Sequence, residues 1–183
     1  MKLNRVIGGA ALAAGLTLCW ASQNVPMVGG AAMYPNKDII DNAVNSKDHT
    51  TLVAAVKTAG LVDTLKGPGP FTVFAPTNAA FDKLPSGTVD TLLKPENQDQ
   101  LKKILTYHVV PGRITSKKLE AMIRKDDGKA ELKTVEGGTI TATMDGNNIV
   151  LKDEKGGTAT ITQADVMQKN GVIHVIDAVL MPS

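Results

Sequence analysis

Apolar residues in the first two thirds of the chain recur three and four positions apart, whereas after about residue 130 they recur at every second position. The clearest helical segment runs from Glu96 to His108, where positions 101, 104, 105 and 108 share one face and place His108 toward the core. After residue 130, apolar residues alternate with threonines, and Gly-Gly or Asn-Gly steps separate the runs. This pattern predicts antiparallel strands joined by tight turns.

The last apolar run, GVIHVIDAVLMP from Gly171 to Pro182, is apolar on both faces. A strand of that kind belongs in the centre of a sheet. Shorter helices are expected earlier, with Asn36, Asp48 and Ser116 as their N-caps, because these side chains can accept hydrogen bonds from free N–H groups. Helices first and strands last predict an α+β fold, in which helices cover part of an antiparallel sheet.

The stretch Phe71–Phe81, FTVFAPTNAAF, combines a strand with the start of a helix. FTVFA has the aromatic and β-branched content of a buried strand. Pro76, Thr77 and Asn78 then supply a fixed φ angle and two side chains that can cap a helix beginning near residue 79. Such a corner is either architectural or presents polar side chains at a site. Since the turn carries no Ser or Cys nucleophile, the architectural interpretation is favoured.

The N-terminal residues follow the order of a secretory signal peptide. Lys2 and Arg5 precede an apolar run over residues 6–18, and small or polar residues follow at positions 21 and 22. We predict a signal peptide over residues 1–23, an N-terminal arm or tether over 24–35 and a single domain over 36–183. A membrane anchor is the alternative, but the run is shorter than the roughly 20 residues of a spanning helix. Lipidation of Cys19 is a further alternative, which the bulky residue before it disfavours.

Removal of the signal peptide changes the charge balance. Residues 1–23 hold two of the 20 basic residues and none of the 18 acidic ones, so 18 of each remain. A neutral domain has no net field to attract nucleic acid or an anionic membrane, and neither is expected as a partner. The only cysteine is also removed, so an exported domain must rest on its core without a disulfide.

Motifs for known chemistry are missing from the sequence. It contains no His-x-His, His-Glu-x-x-His or cysteine pair for a transition metal and no Gly-x-Ser-x-Gly nucleophile motif. Asp126-Asp127-Gly128 lacks the alternating oxygen ligands of a calcium loop and is expected to be a solvated turn. We therefore predict no metal, no cofactor and no enzymatic activity. His174 shares a strand face with apolar residues and is expected to be a core residue rather than a ligand.

Three stretches resemble, in order and spacing, the fasciclin family, whose domain is known as FAS1. They are TVFAPTNAAF at Thr72–Phe81, Tyr107-His108 followed by VVPG, and GVIHVIDAVL at Gly171–Leu180, and the resemblance covers roughly residues 37–182. It implies a wedge-shaped antiparallel β-sandwich with several helices packed on one side, in a secreted bacterial member with one domain. The residues that carry the motifs, and to which we assign a structural role, are Thr72, Phe74, Pro76, Thr77, Asn78, Phe81, Gly171, His174 and Asp177.

The resemblance also implies a function: a secreted, periplasmic or extracellular module for adhesion, which binds a cell-surface or matrix protein or a glycan. In animal relatives the region around the Tyr-His pair has been assigned to integrin binding, so Tyr107 and His108 are candidate binding residues. Helical spacing instead favours a buried, structural His108, hydrogen-bonded near Thr77 or Asn78, with Tyr107 partly exposed. The alternative function is binding of a small ligand, or an unrecognised enzymatic activity, at a pocket near the corner.

Overall fold

The computed structural model describes residues 25–183. The predicted signal peptide and Cys19 lie outside the described residues. The helices are α1 (Ile39–Ala43), α2 (Thr50–Thr58), α3 (Val62–Lys66), α4 (Asn78–Asp82), α5 (Thr88–Leu92), α6 (Gln98–Tyr107) and α7 (Ser116–Lys125). The strands are β1 (Met27–Val28), β2 (Ala31–Ala32), β3 (Phe71–Pro76), β4 (Val109–Pro111), β5 (Lys129–Lys133), β6 (Thr139–Asp145), β7 (Asn148–Lys152), β8 (Thr158–Gln168) and β9 (Gly171–Ile176). Short 3-10 turns, Lys47–His49 and Pro95–Asn97, precede α2 and α6.

The main sheet has seven strands in the order β4-β3-β9-β8-β7-β6-β5. Its last five strands along the chain pair antiparallel with their neighbours, which confirms the predicted meander. β9 is buried along its whole length and lies inside the sheet, as its two apolar faces predicted. The pairing of β3 with β9 is parallel, which the long connection through the intervening elements allows and a hairpin would not. The α+β class is confirmed.

Strands β3 and β9 separate two hydrophobic cores. Val73 and Val175 pack in one cluster with residues of the helices, whereas Phe74 and Ile176 pack in the other with α7 and strands β5 to β8. Successive side chains of a strand point to opposite faces, so each strand contributes to both cores. The sheet also curves toward closure, since Val135 N donates to Val109 O at 2.8 Å and links its two ends.

The residues before α1 lie against the domain. β1 and β2 form a two-stranded antiparallel sheet, and Val28 and Met33 are buried in the core on the helical side. Gln163 of β8 donates to Met27 O at 3.1 Å, and Lys47 N donates to Gly29 O at 3.3 Å. Residues 25–35 are therefore held by both packing and hydrogen bonds.

The three predicted N-caps are wrong. The residues in cap position are Asp38, His49 and Thr115, and neither Asp38 nor His49 caps with its side chain. Thr115 does cap α7 locally, accepting from Lys118 N at 3.4 Å, but each of the three helix starts also has an N–H group bonded by a side chain from a distant part of the chain. Those bonds are Ile39 N to Asn170 Oδ1 at 3.2 Å, Thr51 N to Asn78 Oδ1 at 3.1 Å and Ser116 N to Asp165 Oδ1 at 2.7 Å. Local sequence therefore misplaced the caps because tertiary contacts supply the acceptors.

Candidate functional site

The three motif stretches come together at the junction of the two cores. β3 and β9 pair in register, with Phe74 opposite His174, and β4 pairs with the other edge of β3. Tyr107 is the last residue of α6, and His108 lies between α6 and β4. The chain turns from strand to helix after Pro76, as predicted. The motifs are thus neighbours in space, although some 60 residues separate the second from the third.

At the strand-to-helix corner, Thr77 and Asn78 cap two different helices. The hydroxyl of Thr77 accepts a hydrogen bond from Ala80 N at 3.2 Å and caps α4, the helix that begins at the corner. Asn78 bonds to a different helix: besides accepting from Thr51 N, its amide donates to Lys47 O at 2.9 Å. Asn78 therefore fastens the start of α2 to the corner.

Thr72 and Gly171 lie where β3 meets its two neighbours in the sheet, β4 and β9. The Thr72 hydroxyl donates to Gly112 O at 2.6 Å and accepts from Ile114 N at 2.9 Å, which ties β3 to the loop after β4. At Gly171 a Cβ atom would overlap with the carbonyl oxygen of Phe71. Only glycine allows β3 and β9 to approach this closely.

His174 joins three elements around a β-bulge. Its ring stacks on Phe74, with centroids 5.7 Å apart. Nε2 lies 2.8 Å from Ile114 O and donates to it, because Nδ1 accepts from Asp165 N at 3.3 Å. Asp165, in a left-handed conformation with φ of 57°, lies in the irregular part of β8. Burial lowers the pKa of His174, so its ring is neutral at pH 7.

His108 joins α6 to the C-terminal segment. Its Nε2 accepts from Leu180 N at 3.0 Å, so Nδ1 carries the proton and donates to Ile104 O at 2.8 Å. Burial lowers the pKa of His108 to about 4, against a smaller opposing effect of Asp153. The predicted partners, Thr77 and Asn78, are wrong because both are engaged in helix capping.

Tyr107 is fully buried, and the expected partial exposure is wrong. Its hydroxyl donates to Thr139 O at 2.8 Å and accepts from Glu154 N at 3.3 Å, so β6 and the turn after β7 cover the side of α6 that periodicity left open. Burial raises the pKa of Tyr107 to about 12. Tyr107 and His108 therefore attach α6 to different parts of the domain, and neither reaches the surface.

Two acidic residues, one inside the third motif and one outside the motifs, tie the strands together. Asp177 accepts from Thr160 N at 2.7 Å and pairs with Lys83 Nζ at 3.3 Å, so the third motif is bonded to β8 and to the corner helix. Asp153, which sequence reasoning missed, accepts from Gly157 N at 2.6 Å and from Met181 N at 2.9 Å. An Asp followed four residues later by Gly is a common turn pattern, and this was its only local signal.

The motif side chains thus bond and pack within the domain, and Tyr107, His108 and His174 are buried. Across residues 25–183, no group of three or more His, Cys, Asp or Glu is arranged to hold a metal ion. No helix in the same range has the length and apolar character needed to cross a membrane. The cavity beside β3 is lined mainly by apolar side chains, with His49 and His108 among the lining residues.

The class of protein follows from this arrangement: an α+β domain in which three separated sequence motifs interlock around a central parallel strand pair. The Fasciclin domain family model matches residues 47–182. The chain belongs to the fasciclin domain family, and the resemblance read from the three motifs is confirmed.

Relatives and solved structures agree with this assignment. The chain is 46% identical to Protein sll1483 of Synechocystis, over 85% of this chain and 79% of that one. It is 39% identical to the immunogenic protein MPB70 of Mycobacterium bovis, over 76% of this chain and 66% of that one. It is 34% identical to the transforming growth factor-beta-induced protein ig-h3 of Sus scrofa, over 81% of this chain but only 20% of that one. A solved FAS1 domain pair from the insect cell adhesion molecule Fasciclin I superposes with a TM-score of 0.69 at 22% identity, covering 79% of this chain and 51% of that one.

Proposed function

We propose that this protein is a secreted, non-enzymatic adhesion module that binds an acidic partner, either a cell-surface or matrix protein or a glycan, through the exposed face of α7. The observation that carries the proposal is the charge of this helix. Family membership supports the adhesive role, since a structural neighbour is described as a cell adhesion molecule. The Tyr-His pair and His174 support a surface elsewhere, because these side chains are buried and their polar atoms are bonded within the domain.

The face of α7 is basic although the domain as a whole is neutral. The helix exposes Lys117, Lys118, Arg124 and Lys125 and carries a single acidic residue, Glu120. Within the described residues, only Arg124 of these four forms an ion pair, at 3.8 Å from Glu120. We name the four basic side chains the α7 basic face.

The positions of Lys117 and Lys118 do not stabilise α7. Lys117 and Lys118 lie in the first turn of α7, where the partial positive charge of the helix N-terminus disfavours a cation. Long lysine side chains at an exposed face are suited to contact carboxylate or sulfate groups of a partner. The position of these two residues therefore favours a role in binding.

The motif residues have a structural role in this proposal. Tyr107 and His108 fasten α6, and Asn78 fastens α2, so that α7 is presented on a rigid scaffold. Loss of these residues lowers binding only in proportion to unfolding.

A matched pair of charge reversals tests the proposal. The double variant Lys117→Glu/Lys118→Glu is compared with Lys152→Glu/Lys155→Glu, whose lysines are exposed at the turn between β7 and β8. Binding to an immobilised sulfated polysaccharide and to the native growth surface is measured for each. We expect at least a tenfold loss for the α7 variant and little change for the control. Equal losses, or attachment that neither variant weakens, would rule out the α7 basic face.

A further inference from the structure

A cavity of about 50 Å³ lies between the corner strand β3 and the helical layer. Its walls are apolar and include Ile40, Val56, Leu65, Val73, Leu105 and Ile173. Val135 also lines the cavity and is 44% exposed, which brings this side of the cavity to the protein surface. The cavity is distinct from the α7 basic face, because it belongs to the core on the helical side.

One polar side chain lines the cavity with an unused hydrogen-bonding atom. His49 is 3% exposed, and its Nε2 has no hydrogen-bond partner among residues 25–183. The carbonyl of Ala75 lies near enough to oppose in part the lowering of the His49 pKa by burial, but it does not form a hydrogen bond of normal geometry with the ring. A buried polar atom without a partner is unfavourable, and a ligand that supplies one is bound more tightly.

The other ring nitrogen determines which group faces the cavity. Nδ1 of His49 lies 2.9 Å from the hydroxyl of Ser46, which has no other hydrogen-bond partner in the described part of the chain. When the Ser46 hydroxyl donates to Nδ1, the ring proton is on Nε2, and we assign this tautomer. Because burial lowers the pKa of His49, the ring is neutral. The cavity thus contains one N–H donor in an apolar wall.

Water is poorly suited to this cavity. A buried water molecule is held by two to four polar partners, and within residues 25–183 His49 Nε2 is the one buried side-chain nitrogen or oxygen that lacks a partner. An apolar molecule with one accepting oxygen can pack against the apolar side chains and accept a hydrogen bond from His49 Nε2–H. The volume is about a third of that of an apolar cavity that binds benzene, which corresponds to an occupant of roughly two to four non-hydrogen atoms.

We propose that this cavity is a binding site for a small, uncharged, apolar molecule of the ketone or ether class, whose oxygen accepts a hydrogen bond from His49 Nε2–H. An alcohol fits less well, since its own hydroxyl proton would face an apolar wall. Charged molecules are excluded because the site offers no counter-charge. This activity is independent of the proposed adhesive function and uses different residues.

The test is an NMR titration of the folded protein with acetone and with its hydrocarbon isostere isobutene. We expect acetone to cause saturable shifts of the His49 ring signals and of the methyl groups of Val56 and Ile173. Isobutene should shift the methyl signals while leaving the Nε2–H signal nearly unchanged. A slowly exchanging water at Nε2 that acetone does not displace would overturn the proposal, as would acetone shifts scattered over the surface without saturation.

Two variants separate the hydrogen bond from the cavity itself. His49→Leu removes the donor and should weaken acetone binding roughly three- to tenfold, the usual effect of one hydrogen bond, while binding of xenon is retained. His49→Gln keeps a donor near the Nε2 position and should recover much of the acetone affinity. If His49→Leu binds acetone as tightly as the unmodified protein, the assigned role of His49 is wrong.

Discussion

Replacement of His108 by alanine tests the structural role of the Tyr-His motif. The imidazole supplies the acceptor for Leu180 N and the donor for Ile104 O, and Leu180 is 1% exposed. Without it, the Leu180 N–H is buried and unpaired, which costs about 1–3 kcal/mol. The volume left by the ring adds a cavity cost, so the free energy of unfolding should fall by about 2–4 kcal/mol.

His108→Gln is the matched control for this variant. Its side-chain oxygen can accept from Leu180 N, so we expect a smaller loss than for alanine. Both variants are compared by equilibrium denaturation in urea, with the midpoint and the slope determined together. An unchanged midpoint for His108→Ala, combined with loss of attachment to a partner, would refute the structural role and make His108 a contact residue.

The same residue makes stability depend on pH. The pKa of His108 is about 4 in the folded protein and 6.5 in an unperturbed histidine, which represents the unfolded chain. Between these values the unfolded chain binds a proton that the folded protein does not, so acid favours unfolding. The contribution is fully present above pH 6.5 and falls by up to roughly 3 kcal/mol as the pH drops to 4. His49 and His174, whose pKa values burial also lowers, act with the same sign. His108→Gln should therefore flatten the acid limb of the stability profile, and a profile with the original slope would contradict this assignment.

Three further predictions follow from other parts of the molecule. Asn78→Ala should lower the free energy of unfolding by about 1–2 kcal/mol by removing the cap of α2, whereas Asn97→Ala, at an exposed amide, should change it little in the same urea assay. Export should remove a segment that ends between Ala21 and Asn24, so the intact mass of the exported protein should match residues from that point onward; recovery of the full-length chain in a membrane fraction would contradict cleavage. The exported domain should show no appreciable affinity for duplex DNA at physiological salt, because basic and acidic residues are equal in number and the four cations of the α7 basic face can neutralise only a few phosphates; micromolar binding with a steep salt dependence would overturn this.

The order of the elements and the central strand could be predicted because the spacing of apolar residues within each segment indicates whether it forms a helix or a strand. Gly171–Ile176 is apolar on both faces since β9 separates two cores, and the strand-to-helix corner at Pro76 follows from turn chemistry within a few residues. The parallel pairing of β3 with β9 was not predictable, because no local pattern distinguishes it from an antiparallel one.

The hydrogen-bond partners of the site were also beyond local reasoning. Asn170, Asn78 and Asp165 bond to the starts of α1, α2 and α7 from positions between 27 and 131 residues away. The helical spacing of α6 alone predicts a partly exposed Tyr107, because the strand and the turn that cover it come from distant parts of the chain. Predictions failed wherever a polar group is satisfied across the fold rather than along the chain.

We propose that the motifs build the scaffold and that the α7 basic face binds the partner. This proposal is tested most directly by measuring unfolding midpoint and attachment to the native growth surface for Lys117→Glu/Lys118→Glu and His108→Gln side by side. We expect the lysine variant to keep its midpoint and lose attachment, and we expect His108→Gln to have a lower midpoint and to attach normally under conditions where it is folded. Loss of attachment by folded His108→Gln, with full attachment by the lysine variant, would contradict the account.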